Sequence, residues 1–218
     1  MVTGVQTCAL PISSLSDLAE ELGQRRSTAS EAVKKLAADG LVHHAPYGDI
    51  TLSDSGLAFA LQMVRRHRLI ETYLLRELDY GVDEVHDEAE ILEHAVSDTF
   101  IARIDAVMGF PTRDPHGDPI PDASGQVAVP QTVPLAEVAP GQRVLVDRIS
   151  DRDPALLRYL EDNGIAPGTH VDVADRPYPD MAVLVVDGRE VQVSVGSLAG
   201  ILCQAQDEQD AAQGEARA

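Results

Sequence analysis

Between His86 and His94 the chain reads His-Asp-Glu-Ala-Glu-Ile-Leu-Glu-His. On a helix, His86, Glu90, Glu93 and His94 would stack along one face at spacings of three and four residues, with Ile91, Leu92 and Val96 forming an apolar side turned to a core. Such a comb suits a divalent ion. Imidazole and carboxylate donors without a thiolate favour manganese(II) or iron(II), whereas sulfur ligands would favour zinc or copper(I). A solvated acidic helix face has a similar composition, so the comb does not decide alone. A second pair decides it: His67 and Glu71 stand four residues apart on the long amphipathic pattern from Leu57 to Leu78. Two helices that each present an imidazole and a carboxylate can enclose an ion.

The segment before these helices has the punctuation of a winged helix-turn-helix at residues 13–56. Ser16 is placed to cap a helix through Leu22, with Leu15, Leu18, Ala19 and Leu22 apolar and Gly23 as its stop. A second helix follows from about Ser27 to Ala38, burying Ala29, Ala32, Val33 and Leu36 and ending at Asp39-Gly40. Its other face carries Ser27, Thr28, Ser30, Glu31, Lys34 and Lys35, with Arg25 and Arg26 in the preceding turn. Small hydroxyl residues at a helix start can reach base edges while cations contact phosphate. Two alternating runs, Leu41 to His44 and Asp49 to Leu52, flank Pro46-Tyr47-Gly48 as the strands of a wing, with Tyr47 at its tip. Together these residues predict binding to double-stranded DNA.

At 218 residues and 44% hydrophobic content the chain can build more than one modest core. The net charge of -19 excludes a generally basic nucleic-acid surface, but acids and bases balance from Ser13 to Arg76, so DNA contact is a local property. No apolar run approaches the ~20 residues of a transmembrane helix. Cys8 and Cys203 form neither a disulfide framework nor a CxxC motif, which fits a reducing cytoplasm. Met1 to Ile12 has no helical period, is interrupted by Pro11 and lacks the basic start and longer apolar core of a signal peptide; it reads as foreign to the rest of the chain. A metal-dependent hydrolase would use the same ligand types, but no HExxH, nucleophile elbow or phosphate loop is present, and no small-molecule substrate is implied. A winged-helix regulator that needs no metal is the other alternative.

The order of wing, Arg66-His67-Arg68-Leu69-Ile70-Glu71, the segment Val85 to His94, and Asp114-Pro115-His116-Gly117-Asp118-Pro119-Ile120-Pro121 resembles the diphtheria toxin repressor family of metal-dependent transcriptional regulators. The resemblance covers Ser13 to Cys203 and implies an α+β fold: a winged helix-turn-helix, a helical metal-binding and dimerisation domain at 57–110, and an SH3-like small β-barrel at 142–203. It implies a homodimer that represses metal-homeostasis genes by binding a palindromic operator when loaded with Mn(II) or Fe(II). His67, Glu71 and His86 match the family's ancillary metal site, and Glu93 and His94 its primary site. Glu90 stands where iron-responsive members carry cysteine, and a carboxylate there marks the manganese-responsive branch. The family's first helix, which adds an aspartate or methionine to the primary site, would fall in or before Met1 to Ile12. None is visible there, so the expectation is an incomplete primary site.

Residues 111–141 are rich in proline, glycine and aspartate and read as a linker, within which His116 is expected to be structural. Strands are predicted at Arg143 to Ile149, Thr169 to Ala174, Ala182 to Val186 and Glu190 to Val195, with a helix from Pro154 to Asn163. In the resembled fold this domain lends a ligand to the ancillary site, and Asp153 is the nearest candidate. Gln204 to Ala218 is polar, small-residue sequence and is expected to be disordered.

Overall fold

A computed structural model describes residues 12–45, 48–128, 130–174 and 178–205. The chain forms two compact units, residues 1–65 with 121–129, and 66–120 with 130–218.

In the first unit, α1 (Leu15–Glu21) begins at Ser14 rather than Ser16. Ser14 lies three residues before Asp17, so side chain and backbone cap each other reciprocally, which Ser16 has no partner to do. α2 (Arg26–Ala38) ends at Asp39, and Gly40 takes a φ of +74° beyond it. Only Ala29 and Val33 of its four predicted core residues are buried. Ala32 is exposed and Leu36 is 39% exposed, because the inward stripe follows a single i, i+4 row. Three antiparallel strands, β1 (Ile12–Ser13), β2 (Val42–His44) and β3 (Ile50–Leu52), pair in the order β1-β3-β2, so the predicted two-stranded wing gains a third strand. Val42 and Ile50 close this small core on Val33. The long helix α3 (Asp54–Leu78) starts under the wing, where Ser53 Oγ accepts from Gly56 N and donates to Gly40 O. Gly56 has no substitute here, since a Cβ would sit 1.8 Å from Leu41 O.

The second unit opens with the remainder of α3. Leu69, Ile70 and Leu74 pack on Val85 and Ala89 of α4 (Val85–Leu92), Ile101 and Ile104 of α5 (Asp98–Val107), and Ile120. Six strands follow in the antiparallel order β4-β9-β5-β6-β7-β8: β4 (Val133–Pro134), β5 (Arg143–Ile149), β6 (His170–Val173), β7 (Met181–Val186), β8 (Arg189–Ser194) and β9 (Ile201–Ala205). Their inward residues, among them Val144, Val146, Val171, Leu184, Val191 and Ile201, share one core with Leu157 and Leu160 of α6 (Pro154–Asp162). β9 pairs along β5 and takes in Gln204 and Ala205, which the sequence pattern assigns to a disordered tail. Residues 206–218 lie outside those described. β5 bulges between Val146 and Arg148, so Asp147 is the extra residue. Among the described residues no helix is long and apolar enough to cross a membrane.

Candidate metal centre and nucleic-acid interface

The centre is built around Glu71, which is 1% exposed. Burying a carboxylate is costly unless it is paired and hydrogen-bonded, and here α3, α4 and a loop all supply partners. Its Oε1 lies 2.9 Å from His67 Nε2, 3.3 Å from His86 Nδ1 and 3.8 Å from His116 Nε2. His67 and His86 approach each other at 3.2 Å between ring nitrogens. The other ring nitrogen of His67 faces Glu93 Oε2 at 2.8 Å, and His86 Nδ1 faces Asp151 Oδ2 at 3.5 Å. His86 Nε2 and both ring nitrogens of His116 are buried with no hydrogen-bond partner among the described residues.

Charge and burial compete strongly at these groups. Burial works against a charged His67, but the hydrogen bonds and charges of Glu71 and Glu93 outweigh it and lift the imidazole to about 9. Glu71 shows the reverse: burial favours its neutral form, yet hydrogen bonds with His67 and His86 hold it down to about 2. The hydrogen bond to Glu71 also raises His86, against burial. Asp114 is pushed well above the usual carboxylate range by burial, reinforced by Glu71 and Asp118 and opposed by Arg68. Protons here occupy positions that a cation can take over.

Among the described residues, two groups have donor atoms within 4.8 Å of one another: His67, Glu71 and His86, and His67, Glu90 and Glu93. The donors are all nitrogen or oxygen, a set that fits manganese(II) or iron(II). The thiol of Cys203 is apart from them, buried in the barrel core, where burial and Asp147 push it up to about 12.

The structure thus brings together His67, Glu71, His86, Glu90 and Glu93, and differs from the predicted comb over its last residues. α4 stops at Leu92, and Glu93 and His94 lie in the turn after it rather than on a helical face. Arg66 holds that turn to α3 by donating to Glu93 O and Val96 O. His94 is 71% exposed at its side chain, with Nε2 3.3 Å from Glu93 Oε1. Ile91, predicted to face the core, is 68% exposed.

Asp153 is elsewhere: its Oδ1 accepts from Leu156 N at 3.0 Å and caps α6. Aspartate before proline is an N-cap signature, since proline suits the first helical position and disfavours helical backbone before it. That signal could have redirected attention to Asp151, which faces His86 instead. His116 is 2% exposed and sits against Glu71, not loose in a linker. Thr112 to Ile120 folds on itself through Asp114 Oδ1, which accepts from His116 N and Asp118 N, and through the Ile120 N to Thr112 O bond.

In the first unit Arg25 is the N-cap of α2. Arg25, Arg26, Ser27, Thr28, Glu31, Lys34 and Lys35 are exposed and Ser30 is half-buried. Lys34 Nζ pairs with Glu31 Oε1 at 2.7 Å. Tyr47 lies outside the described residues, as does the N-terminal segment through Pro11.

Three domain families match in sequence. Residues 10–50 match the iron dependent repressor N-terminal DNA binding domain, 53–122 the iron dependent repressor metal binding and dimerisation domain, and 133–205 the FeoA domain. The diphtheria toxin repressor of Corynebacterium glutamicum is 32% identical, over 72% of this chain and 73% of its own. The chain belongs to the diphtheria toxin repressor family. The iron-dependent repressor IdeR of Mycobacterium leprae is also 32% identical, over 79% of this chain and 80% of its own. A solved structure of a manganese-dependent transcriptional repressor in complex with manganese is 48% identical with a TM-score of 0.82, covering 91% of this chain and 93% of its own. The structure of the manganese regulator SloR is 32% identical with a TM-score of 0.69, covering 89% and 90%. Membership makes this chain an α+β metal-dependent transcriptional repressor with a DNA-binding domain, a helical metal-binding and dimerisation domain, and an SH3-like FeoA domain.

Proposed function

We propose that this chain is a homodimeric repressor activated by manganese(II), with iron(II) as the second ion it accepts, and that it binds a palindromic operator through α2. The observation that carries this reading is the buried Glu71 meeting His67 and His86 on donors of nitrogen and oxygen alone. Glu71, His67, His86, His116 and Asp151 are the residues that would hold one ion. Glu90, Glu93 and His94 are the residues that would hold another. The manganese-bound relative supports the choice of ion, as does the hard oxygen of Glu90.

A bound ion would supply positive charge in place of the imidazole protons. Glu71 orients His67 and His86, and Glu93 meets the second nitrogen of His67, so the two groups of ligands touch at that imidazole. DNA affinity rises with loading only as far as the DNA-competent arrangement holds the ion better. On α2, Thr28 and Ser30 set sequence preference, while Arg25, Arg26, Lys34 and Lys35 hold phosphate. The exposed apolar side chains Ile91, Phe100, Val107 and Phe110 offer the surface for self-association. We infer that the repressor acts in the cytoplasm, by binding rather than by catalysis.

Calorimetric titration of the metal-free protein with Mn(II), Fe(II), Co(II) and Zn(II), alongside operator binding with each ion, tests the assignment. Retention of manganese and manganese-dependent operator binding are expected. Glu90→Cys should move the ranking towards Fe(II), Co(II) or Zn(II). Operator binding that is indifferent to chelator would leave a metal-independent regulator, and an unchanged ranking in Glu90→Cys would remove that residue from the ligands.

A further inference from the structure

His116 reaches Glu71 from a loop that is held from two sides. On one side Arg68 of α3 donates to Pro119 O at 2.6 Å and to Asp118 Oδ1 at 3.1 Å and pairs with Asp114 Oδ2 at 3.4 Å. On the other side, nearest His116 itself, the hydrogen bonds come from β5. Ile149 N donates to His116 O at 2.9 Å, holding the histidine's own carbonyl. Arg113, on the near arm of the loop, donates through Nη1 to Gly117 O at 2.6 Å and Asp147 O at 3.3 Å, and through Nη2 to Asp147 Oδ1 at 2.9 Å. Gln204 on β9 donates to the same Asp147 oxygen, bracing it from behind. Arg148 ties down the far arm with a 2.7 Å bond to Asp118.

The bulge in β5 makes this docking possible. In a regular strand the Asp147 carbonyl would be committed to the neighbouring ladder; as the extra residue of a bulge it is turned out of register and can receive Arg113. The loop also comes very close. Gly117 has a φ of +89°, and a Cβ there would lie 2.1 Å from Asp147 O and 2.9 Å from Arg148 Cα, so no larger residue can take this place without backbone movement. Strand and loop are therefore shaped for each other at the residue beside His116.

We propose that the barrel strand β5, through its bulged Asp147 and the Arg113 and Gly117 contacts, positions His116 against Glu71, so that the SH3-like domain builds this side of the metal centre without ligating from β5 itself. Arg113, Gly117 and Asp147 are positioning residues acting through His116. The inference rests on His116 serving as a ligand. Outer partners that fix a ligand's orientation typically change metal affinity by ~10–100-fold when removed. Arg113→Ala should thus weaken Mn(II) binding at the Glu71 site by a factor in that range, and Arg113→Lys, which keeps one charge for Asp147, should recover part of it. Gly117→Ala should match or exceed the loss in Arg113→Ala.

The test is a double-mutant cycle in the full-length protein, with Mn(II) affinity measured against a competing chelator and amide exchange followed at Gly117 and Ile149. If Arg113 acts through His116, the Arg113→Ala/His116→Ala protein binds no more weakly than His116→Ala alone. Arg113→Ala should also speed exchange at Ile149 N while the melting of the barrel is little changed. If His116→Ala leaves affinity intact, the ligand reading fails and the positioning role with it. If His116→Ala weakens binding but Arg113→Ala does not, or if the two losses add, the ligand reading stands and β5 is overturned as its positioner.

Discussion

The metal centre and the exposed face of α2 are both sets of polar side chains, and they are organised in opposite ways. Around Glu71 each group leans on another: His67 touches two carboxylates, Glu71 meets three imidazoles within 3.8 Å, and the partners come from α3, α4, the Asp114 loop and the segment before α6. On α2 the cations are exposed to water, and Lys34 pairs with a Glu31 on its own helix, the two side chains being 65% and 74% exposed. Buried groups in low dielectric interact strongly and respond collectively; exposed ones are screened and respond singly. The comparison implies large, non-additive effects at the first region and small, additive ones at the second.

The largest effect is expected from Glu71→Gln. The side chain keeps its volume but loses the charge that His67 and His86 share, and removing one partner of a buried ion pair costs roughly 3–5 kcal/mol. Metal-free Glu71→Gln should unfold at much lower denaturant than the parent, and its Mn(II) affinity should fall by more than the ~10–100-fold typical of an outer partner. Chemical denaturation and metal titration check both. A stability loss under about 1 kcal/mol, the scale of an exposed pair, would mean that the cluster is no more cooperative than the surface of α2.

The difference also governs what could be read from the sequence. His67, Glu71 and His86 were legible because helical periodicity places i, i+4 partners on one face, and the winged motif because turn residues punctuate it. The strands of the barrel followed from valine alternation. His116 and Asp151 were not legible, since their approach to Glu71 and His86 depends on long-range packing against the barrel that no local period encodes. The end of α4 at Leu92 was missed because it is set by Arg66, 27 residues before Glu93, which takes the carbonyls of the turn. β9 was missed because its Cys203 and Ile201 are buried only by pairing with β5, while its last residues look like tail.

Intermediate in size is the response to pH, which the two states of the centre should show with opposite signs. His67 is lifted from 6.5 to about 9 in the folded metal-free protein. Its contribution to stability is therefore complete below 6.5 and is lost as pH rises through 9, because the unfolded chain gives up the proton first. Glu71, held at about 2, contributes above its ordinary value of 4.5 and loses this only in acid. Metal loading needs neutral imidazole, so it releases protons near pH 7 and strengthens as pH rises towards 9. Melting in chelator should accordingly fall between pH 6.5 and 8.5 while Mn(II) affinity climbs over the same interval. A metal-free protein equally stable at both pH values, with no proton release on loading, would show that Glu71 and Glu93 do not hold the proton on His67.

The smallest effect is expected on α2. Lys34 is exposed, and its bond to Glu31 is of the kind worth ~0.2–1 kcal/mol, so Lys34→Ala should leave the fold's stability nearly unchanged. If the lysine neutralises one phosphate, the substitution should weaken operator and unrelated duplexes alike and reduce the slope of log affinity against log salt by about 0.9. Lys34→Ala/Lys35→Ala should then reduce it by about 1.8, the sum of two independent contacts, in contrast to the non-additive cycle at His116. Thr28→Ala should do the converse, changing which base is preferred with the salt slope intact. Binding measured from low to physiological salt on the metal-loaded protein separates these outcomes. A Lys34→Ala protein that changes sequence preference without changing its salt slope would mean that this lysine reads a base edge, and that the face of α2 turned to the groove is rotated from the one assigned to it.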